Sequence, residues 1–172
     1  DVKSSVACSA ANGKHCMKVE FKDAKGRVGA FVLKELGTTY VNRAIGISWI
    51  QGINPDLDMT QIKEINFIFE NSWGAPKVAT IDIKLGGLYF EPPVSPGGAV
   101  APTDFSSLNL SPSVAEMEPA THNTVTLFNQ LSSSQYVFNY NLTNGTSSDY
   151  SRWAGSLISF ANGAFDLEAS DL

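Results

Sequence analysis

Polar and apolar residues alternate most regularly between Thr38 and Phe90, where three strands are predicted in succession: Thr39–Ile50, Ile62–Glu70, and Val78–Leu85 running on to Leu88-Tyr89-Phe90. β-Branched and aromatic residues fill these runs, and loops rich in Gly, Pro, Asn and Asp bound them. A period of two implies one buried face and one wet face. Upstream, Ser4–Cys8 and Cys16–Lys22 read as a hairpin with Met17, Val19 and Phe21 on one side. Asp23–Arg27 is a polar turn, and Val28–Leu36 is a further strand ended by Gly37. Downstream, strands are predicted at Thr124–Phe128, Gln135–Leu142, Gly155–Phe160 and Ala164–Glu168, the last two flanking an Asn162-Gly163 hairpin signal. Between the two sets lies Glu91–Thr121, which holds Pro92, Pro93, Pro96, Pro102, Pro112 and Pro119. Proline cannot donate to a ladder, so this stretch reads as a linker or wrapping loop, unusually long for the inside of a compact domain. About ten short strands and no helix predict an all-β chain, a β-sandwich or jelly roll, formed as one domain over 1–172.

Composition narrows the chemistry. The 172 residues are 43% hydrophobic and 17% charged, which is globular rather than disordered. A net charge of −5 without a Lys/Arg cluster argues against nucleic acid as a partner. No apolar run reaches the ~20 residues of a membrane-spanning helix. No basic-then-apolar leader follows Asp1, so the chain reads as mature or excised. The two cysteines, Cys8 and Cys16, flank Ala11-Asn12-Gly13-Lys14, a favourable turn. A turn there brings the thiols together on adjacent strands, which points to a disulfide and hence to a secreted, extracellular protein. Two buried free thiols are the alternative. A zinc site is disfavoured, because two thiols with His15 match no zinc spacing.

The order of motifs in the central stretch is familiar. Tyr40-x-x-Arg43 leads into Ile45-Gly46-Ile47-Ser48-Trp49. Asp58-Met59-Thr60-x-Ile62-x-x-Ile65-x-Phe67-x-Phe69 follows, and Thr80-Ile81-Asp82-Ile83 to Leu88-Tyr89-Phe90 closes it. This resembles the second half of the jelly-roll carbohydrate-binding modules of bacterial plant-cell-wall hydrolases, the family 11-like and family 30-like group with a galactose-binding-like fold. Gly13-Lys14-His15-Cys16-Met17-Lys18-Val19 resembles the upstream strand of that group. In such modules the Ile-Asp-x-Ile strand usually ends the domain, whereas this chain continues to Leu172, and Asn123–Asp171 looks like the opening strands. The resemblance therefore implies a circularly permuted jelly roll, with Leu172 near Asp1, or a fragment of two modules completed by domain swapping. It also implies non-catalytic binding of β-glucan or a related plant cell-wall polysaccharide by a module attached to a catalytic domain, and it places Tyr40 and Arg43 at glycan-contacting positions.

Sugar binding needs aromatic faces for pyranose rings and polar groups for hydroxyls. The candidates are Tyr40, Arg43, Trp73, Tyr136, Tyr140, Tyr150, Arg152 and Trp153, with Gln51 and Asp58 beside them. Tyr136, Phe138 and Tyr140 share one strand face, which is either a sugar platform or core, while Trp49 shares a face with Ile45 and Ile47 and reads as core. Trp73 lies in a Ser/Gly/Pro loop. A structural calcium is compatible with Asp58 and Asp82, and with Asp56 and Glu20, although solvated carboxylates explain them equally. Asn109, Asn141 and Asn144 stand in glycosylation sequons. Enzyme signals are poor: there are two histidines, no Gly-x-Ser-x-Gly and no His-Glu-x-x-His. Glu64 and Glu70 lie ~20 Å apart along one strand, too far for a glycosidase pair. Two other readings stay open: a structural or adhesion β-sandwich domain of an exported multi-domain surface protein, and a jelly-roll hydrolase or lyase.

Overall fold

Alternation is translated into burial most directly at Met17–Asp23, where Met17, Val19, Phe21 and Asp23 are buried and the residues between them are half-exposed. A computed structural model describes residues 1–11, 13–42, 50, 53–70, 74–84, 110–118, 124–132, 135–142 and 153–160. The strands are β1 (Val2–Ser4), β2 (Cys8–Ser9), β3 (Met17–Asp23), β4 (Val28–Leu33), β5 (Glu35–Leu36), β6 (Ile62–Glu70), β7 (Val78–Lys84), β8 (Leu110–Glu118), β9 (Thr124–Ser132), β10 (Gln135–Asn141) and β11 (Trp153–Phe160). A 3-10 turn at Met59–Gln61 leads into β6. All pairings among the described strands are antiparallel. They give a four-stranded sheet in the order β1-β7-β10-β9, a five-stranded sheet in the order β4-β3-β6-β11-β8, and a small β2-β5 ribbon. The described residues are mostly strand with almost no helix, consistent with the all-β chain that the pattern predicts.

The two larger sheets share one apolar core. Ile81, Ile83, Tyr136 and Tyr140 come from the first, and Val19, Phe21, Ile62, Ile65, Phe67, Phe69 and Ile158 from the second. Phe69 and Tyr140 stack across them with ring centroids 4.7 Å apart. In β6 the register against β3 slips, Lys22 facing Glu64 but Asp23 facing Ile62. The extra residue is a bulge, and it lets Ile62 join Ile65 in the core. At Gly29 in β4, an added Cβ would lie 2.7 Å from side-chain atoms of both Ile50 and Leu57, so only glycine leaves room for that cap on the strand. Within the core, Ser156 is fully buried and its hydroxyl has no hydrogen-bond partner among the described residues. Removing a polar group that is already unsatisfied returns its desolvation cost. Ser156→Ala is therefore expected to raise stability by about 1 kcal/mol, read as a higher urea midpoint at unchanged slope.

Four sequence expectations need correction. The Ser4–Cys8 and Cys16–Lys22 segments do not form a hairpin. β1 pairs with β7, β2 with β5, and β3 with β4 and β6. Long-range apolar burial outweighs the local turn preference. Val28–Leu36 is two strands separated by Lys34 rather than one. The run from Thr39 to Ile50 is not one strand either: Thr39–Asn42 holds only an isolated bridge, Val2 to Val41, and Ile50 is helical, its carbonyl accepting from Asn54 N–H at 3.3 Å. A short apolar run does not separate strand from helix by pattern alone. Finally, part of the proline-rich segment is a strand, β8. It lies at the edge of its sheet, with Pro112 opposite Ile158, and an edge is where a residue without an N–H is tolerated. The expectations at 85–109 and 161–172, including the position of Leu172 on which the permuted and swapped readings turn, lie outside the described residues.

Candidate functional site

The outer surface of the four-stranded sheet carries a polar array centred on Tyr40. Alternation in β7 sends Ala79, Ile81 and Ile83 into the core and leaves Thr80, Asp82 and Lys84 on the opposite face. On β1, Val2 and Ser4 are buried and Lys3 shares the outer face. The segment leading to Tyr40 runs along β1 as an added edge. Ser4 N–H donates to Gly37 O at 2.8 Å, and Val2 and Val41 exchange two bonds at 3.1 Å. That register sets Tyr40 beside Lys3, Lys3 opposite Asp82, and Lys84 opposite Gln135.

These side chains form one network. The Tyr40 hydroxyl donates to Asp82 Oδ2. Gln135 Nε2 donates to Asp82 Oδ1 at 2.9 Å, and lies 3.1 Å from both Asp82 Oδ2 and the Tyr40 oxygen. Lys3 Nζ stands 3.6 Å from Asp82 Oδ2. Two ammonium groups press on the half-buried Tyr40 ring, Lys3 at 4.3 Å and Lys84 at 4.0 Å from its centroid. Burial, reinforced by the bond to Asp82 and by its charge, pushes the Tyr40 phenol up to about 12, so it stays a neutral donor. Further along the same face the Thr80 hydroxyl donates to Asn139 Oδ1. Chemically, the array offers fixed hydrogen-bond donors and acceptors around an aromatic ring.

The other expected site residues divide as follows. Tyr136 and Tyr140 are corrected: each is 1% exposed, inside the shared core, and a ring so buried offers no face to a sugar. Burial also raises both phenols above their usual value. Arg43, Gln51, Trp73, Tyr150 and Arg152 lie outside the described residues, as does Trp49; Trp153 begins β11, and only its backbone is described. Asp82 belongs to the Tyr40 array, where both of its oxygens accept hydrogen bonds. Asp58 belongs to a separate network, in which it caps the 3-10 turn by accepting from Thr60 N–H at 3.2 Å and donates its own N–H to Asp23 at 3.1 Å. Among the described residues no group of three or more His, Cys, Asp or Glu is placed to hold a metal ion.

Sequence reasoning passed over Lys3, Lys84 and Gln135. For Lys84 the signal is present, because Thr80, Asp82 and Lys84 share a face by period two. For Lys3 and Gln135 it is not, since β1 and β10 flank β7 only through long-range pairing. The disulfide joins Cys8 and Cys16, with Cα atoms 6.0 Å apart, and among the described residues no helix is long and apolar enough to cross a membrane. Comparison with known proteins returns no match: no family model, curated protein or solved structure is similar to this chain.

Proposed function

We propose that the protein is a non-catalytic carbohydrate-binding domain of an exported protein, acting on a plant cell-wall type of polysaccharide and joined to a catalytic domain. The observation that carries this reading is the Tyr40–Asp82–Gln135 network on the outer sheet face. Glycan hydroxyls are both donors and acceptors, and a surface whose own donors and acceptors are already held in place loses little entropy on binding them. The fold reading belongs with it. From β6 to β11 the chain changes sheet at every step except β9 to β10, which are neighbours in one sheet. That winding is compatible with a jelly roll.

Affinity gel electrophoresis against barley β-glucan, xyloglucan, xylan, glucomannan and pectin tests the reading. Retardation by at least one polymer, lost in Tyr40→Ala and weakened in Gln135→Ala, is expected. A folded sample that no polymer retards overturns it. The second reading, a structural or adhesion domain, is favoured by one observation: Tyr136 and Tyr140 are core rather than an exposed aromatic row. It predicts that no gel retards the protein and that an unretarded sample is still cooperatively folded.

A further inference from the structure

We infer that the ligand of the Tyr40 face is anionic, a uronate-bearing polysaccharide rather than a neutral glucan; this rests on the carbohydrate reading and narrows it. A tyrosine serving as a stacking platform keeps a bare face for the C–H side of a pyranose. Tyr40 instead has ammonium groups at 4.3 and 4.0 Å from its centroid. Each such contact holds a flexible lysine in place. The ring therefore acts as a holder for cations, and a neutral sugar would have to displace them to stack.

The charges do not cancel. Lys3 shares Asp82 with the Tyr40 hydroxyl and Gln135. Lys84 makes no ion pair among the described residues. Among the described side chains of the array, two ammonium groups therefore face one carboxylate, and the α-ammonium of Asp1 lies close by, donating to Lys84 O at 2.8 Å; this is a local positive surplus on a chain whose net charge is −5. Two ammonium groups against one ring repel each other, and a second carboxylate beside Lys84 relieves that repulsion. A uronate supplies such a carboxylate, and its ring hydroxyls can bond the side-chain amide of Gln135, which Asp82, itself 9% exposed, holds in place. An ammonium already fixed by the ring loses little rotamer freedom on pairing, which is the condition under which an exposed ion pair contributes measurably.

The test compares polymers of like backbone and different charge. Polygalacturonate is set against fully methyl-esterified pectin, and carboxymethyl cellulose against hydroxyethyl cellulose, with dextran sulfate as a plain polyanion. Expected is retardation by polygalacturonate but not by its ester. Added salt should weaken it, and Lys84→Gln should reduce it about tenfold, the value of one charge-assisted hydrogen bond, while Lys84→Arg retains most of it. Near-ultraviolet circular dichroism confirms that each variant is folded, and the salt dependence of the unmutated protein reads the charge independently of any variant. Equal retardation by acidic and neutral polymers, unaffected by Lys84→Gln, overturns the charge inference and leaves the carbohydrate reading standing. Equal retardation by dextran sulfate overturns it as non-specific ion exchange. No retardation by any polymer overturns both.

Discussion

Replacing both cysteines, as Cys8→Ser with Cys16→Ser, is expected to lower the unfolding free energy by roughly 2–3 kcal/mol, the chain-entropy value for so short a loop. The bond closes a loop of sequence separation 8. It fastens two pieces that hold on to consecutive strands, one to β5 and the other to the end of β4. β2 pairs Cys8 with Leu36, while Cys16 donates its N–H to Leu33 O at 2.7 Å. Apart from the bond, β2 is held by a two-residue ribbon and by Ala10 N–H to Lys34 O, too little to order it firmly. Packing adds less than the crosslink, because serine is close to cysteine in size and the Cys16 sulfur lies 3.1 Å from a carbonyl oxygen that a hydroxyl can use. Urea unfolding of the variant, and of the unmutated protein with and without reductant, checks the figure. Hydrogen exchange should show the amides of Ala10 and Cys16 losing protection first. A midpoint that reductant leaves unmoved contradicts the expectation.

The same bond shows how much of the fold was legible. The cysteines and the turn residues between them point to the pairing, and the pairing is correct. The strands assigned to carry it are not, because neighbours in sequence are easy to join by pattern while partners across a sheet are not. Ile62–Glu70 is readable in full, and Val78–Lys84 is the described part of the strand expected from Val78 through Leu85 to Phe90, since long alternating runs of β-branched and aromatic residues dictate their own geometry. β8 was hidden by Pro112, whose meaning changes once the strand is known to lie on an edge. At the candidate site the same limit applies. Tyr40 was singled out from the sequence, but Lys3, Asp82 and Gln135 join it only through the β1-β7-β10 order, which no local pattern encodes. Tyr136 and Tyr140 illustrate the converse: period two placed them on one face without saying which face was inside.

Acid should weaken the protein through Asp23, and Asp23→Ala should remove that part of the response. Asp23 is 2% exposed, at the end of β3. Its Oδ1 accepts from the N–H groups of Lys25 at 2.8 Å and Arg27 at 2.9 Å; its Oδ2 accepts from Arg27 Nε at 2.6 Å and Asp58 N–H at 3.1 Å. One carboxylate thus closes the β3–β4 turn, where Gly26 takes a φ of 81°, and ties it to the segment that starts β6. Burial alone would raise its pKa, but the bonds from Asp58, Arg27 and Lys25 outweigh it and hold the group down at about 2. In the unfolded chain the group titrates near 3.8, so its contribution is complete above that value and is lost as pH falls from there through about 2. Above neutrality it adds no pH dependence. Asp23→Ala leaves buried N–H groups without an acceptor and is expected to cost about 3 kcal/mol near neutral pH. Asp23→Asn should fall between, since its amide keeps one acceptor but sets a donor against Arg27 or Asp58. Unfolding free energies of the unmutated protein and of Asp23→Ala, measured across the acid range, should converge as pH drops, because the two chains then differ only by a neutral side chain. Parallel curves would mean that other carboxylates carry the acid sensitivity and that Asp23 holds the turn as well protonated as charged.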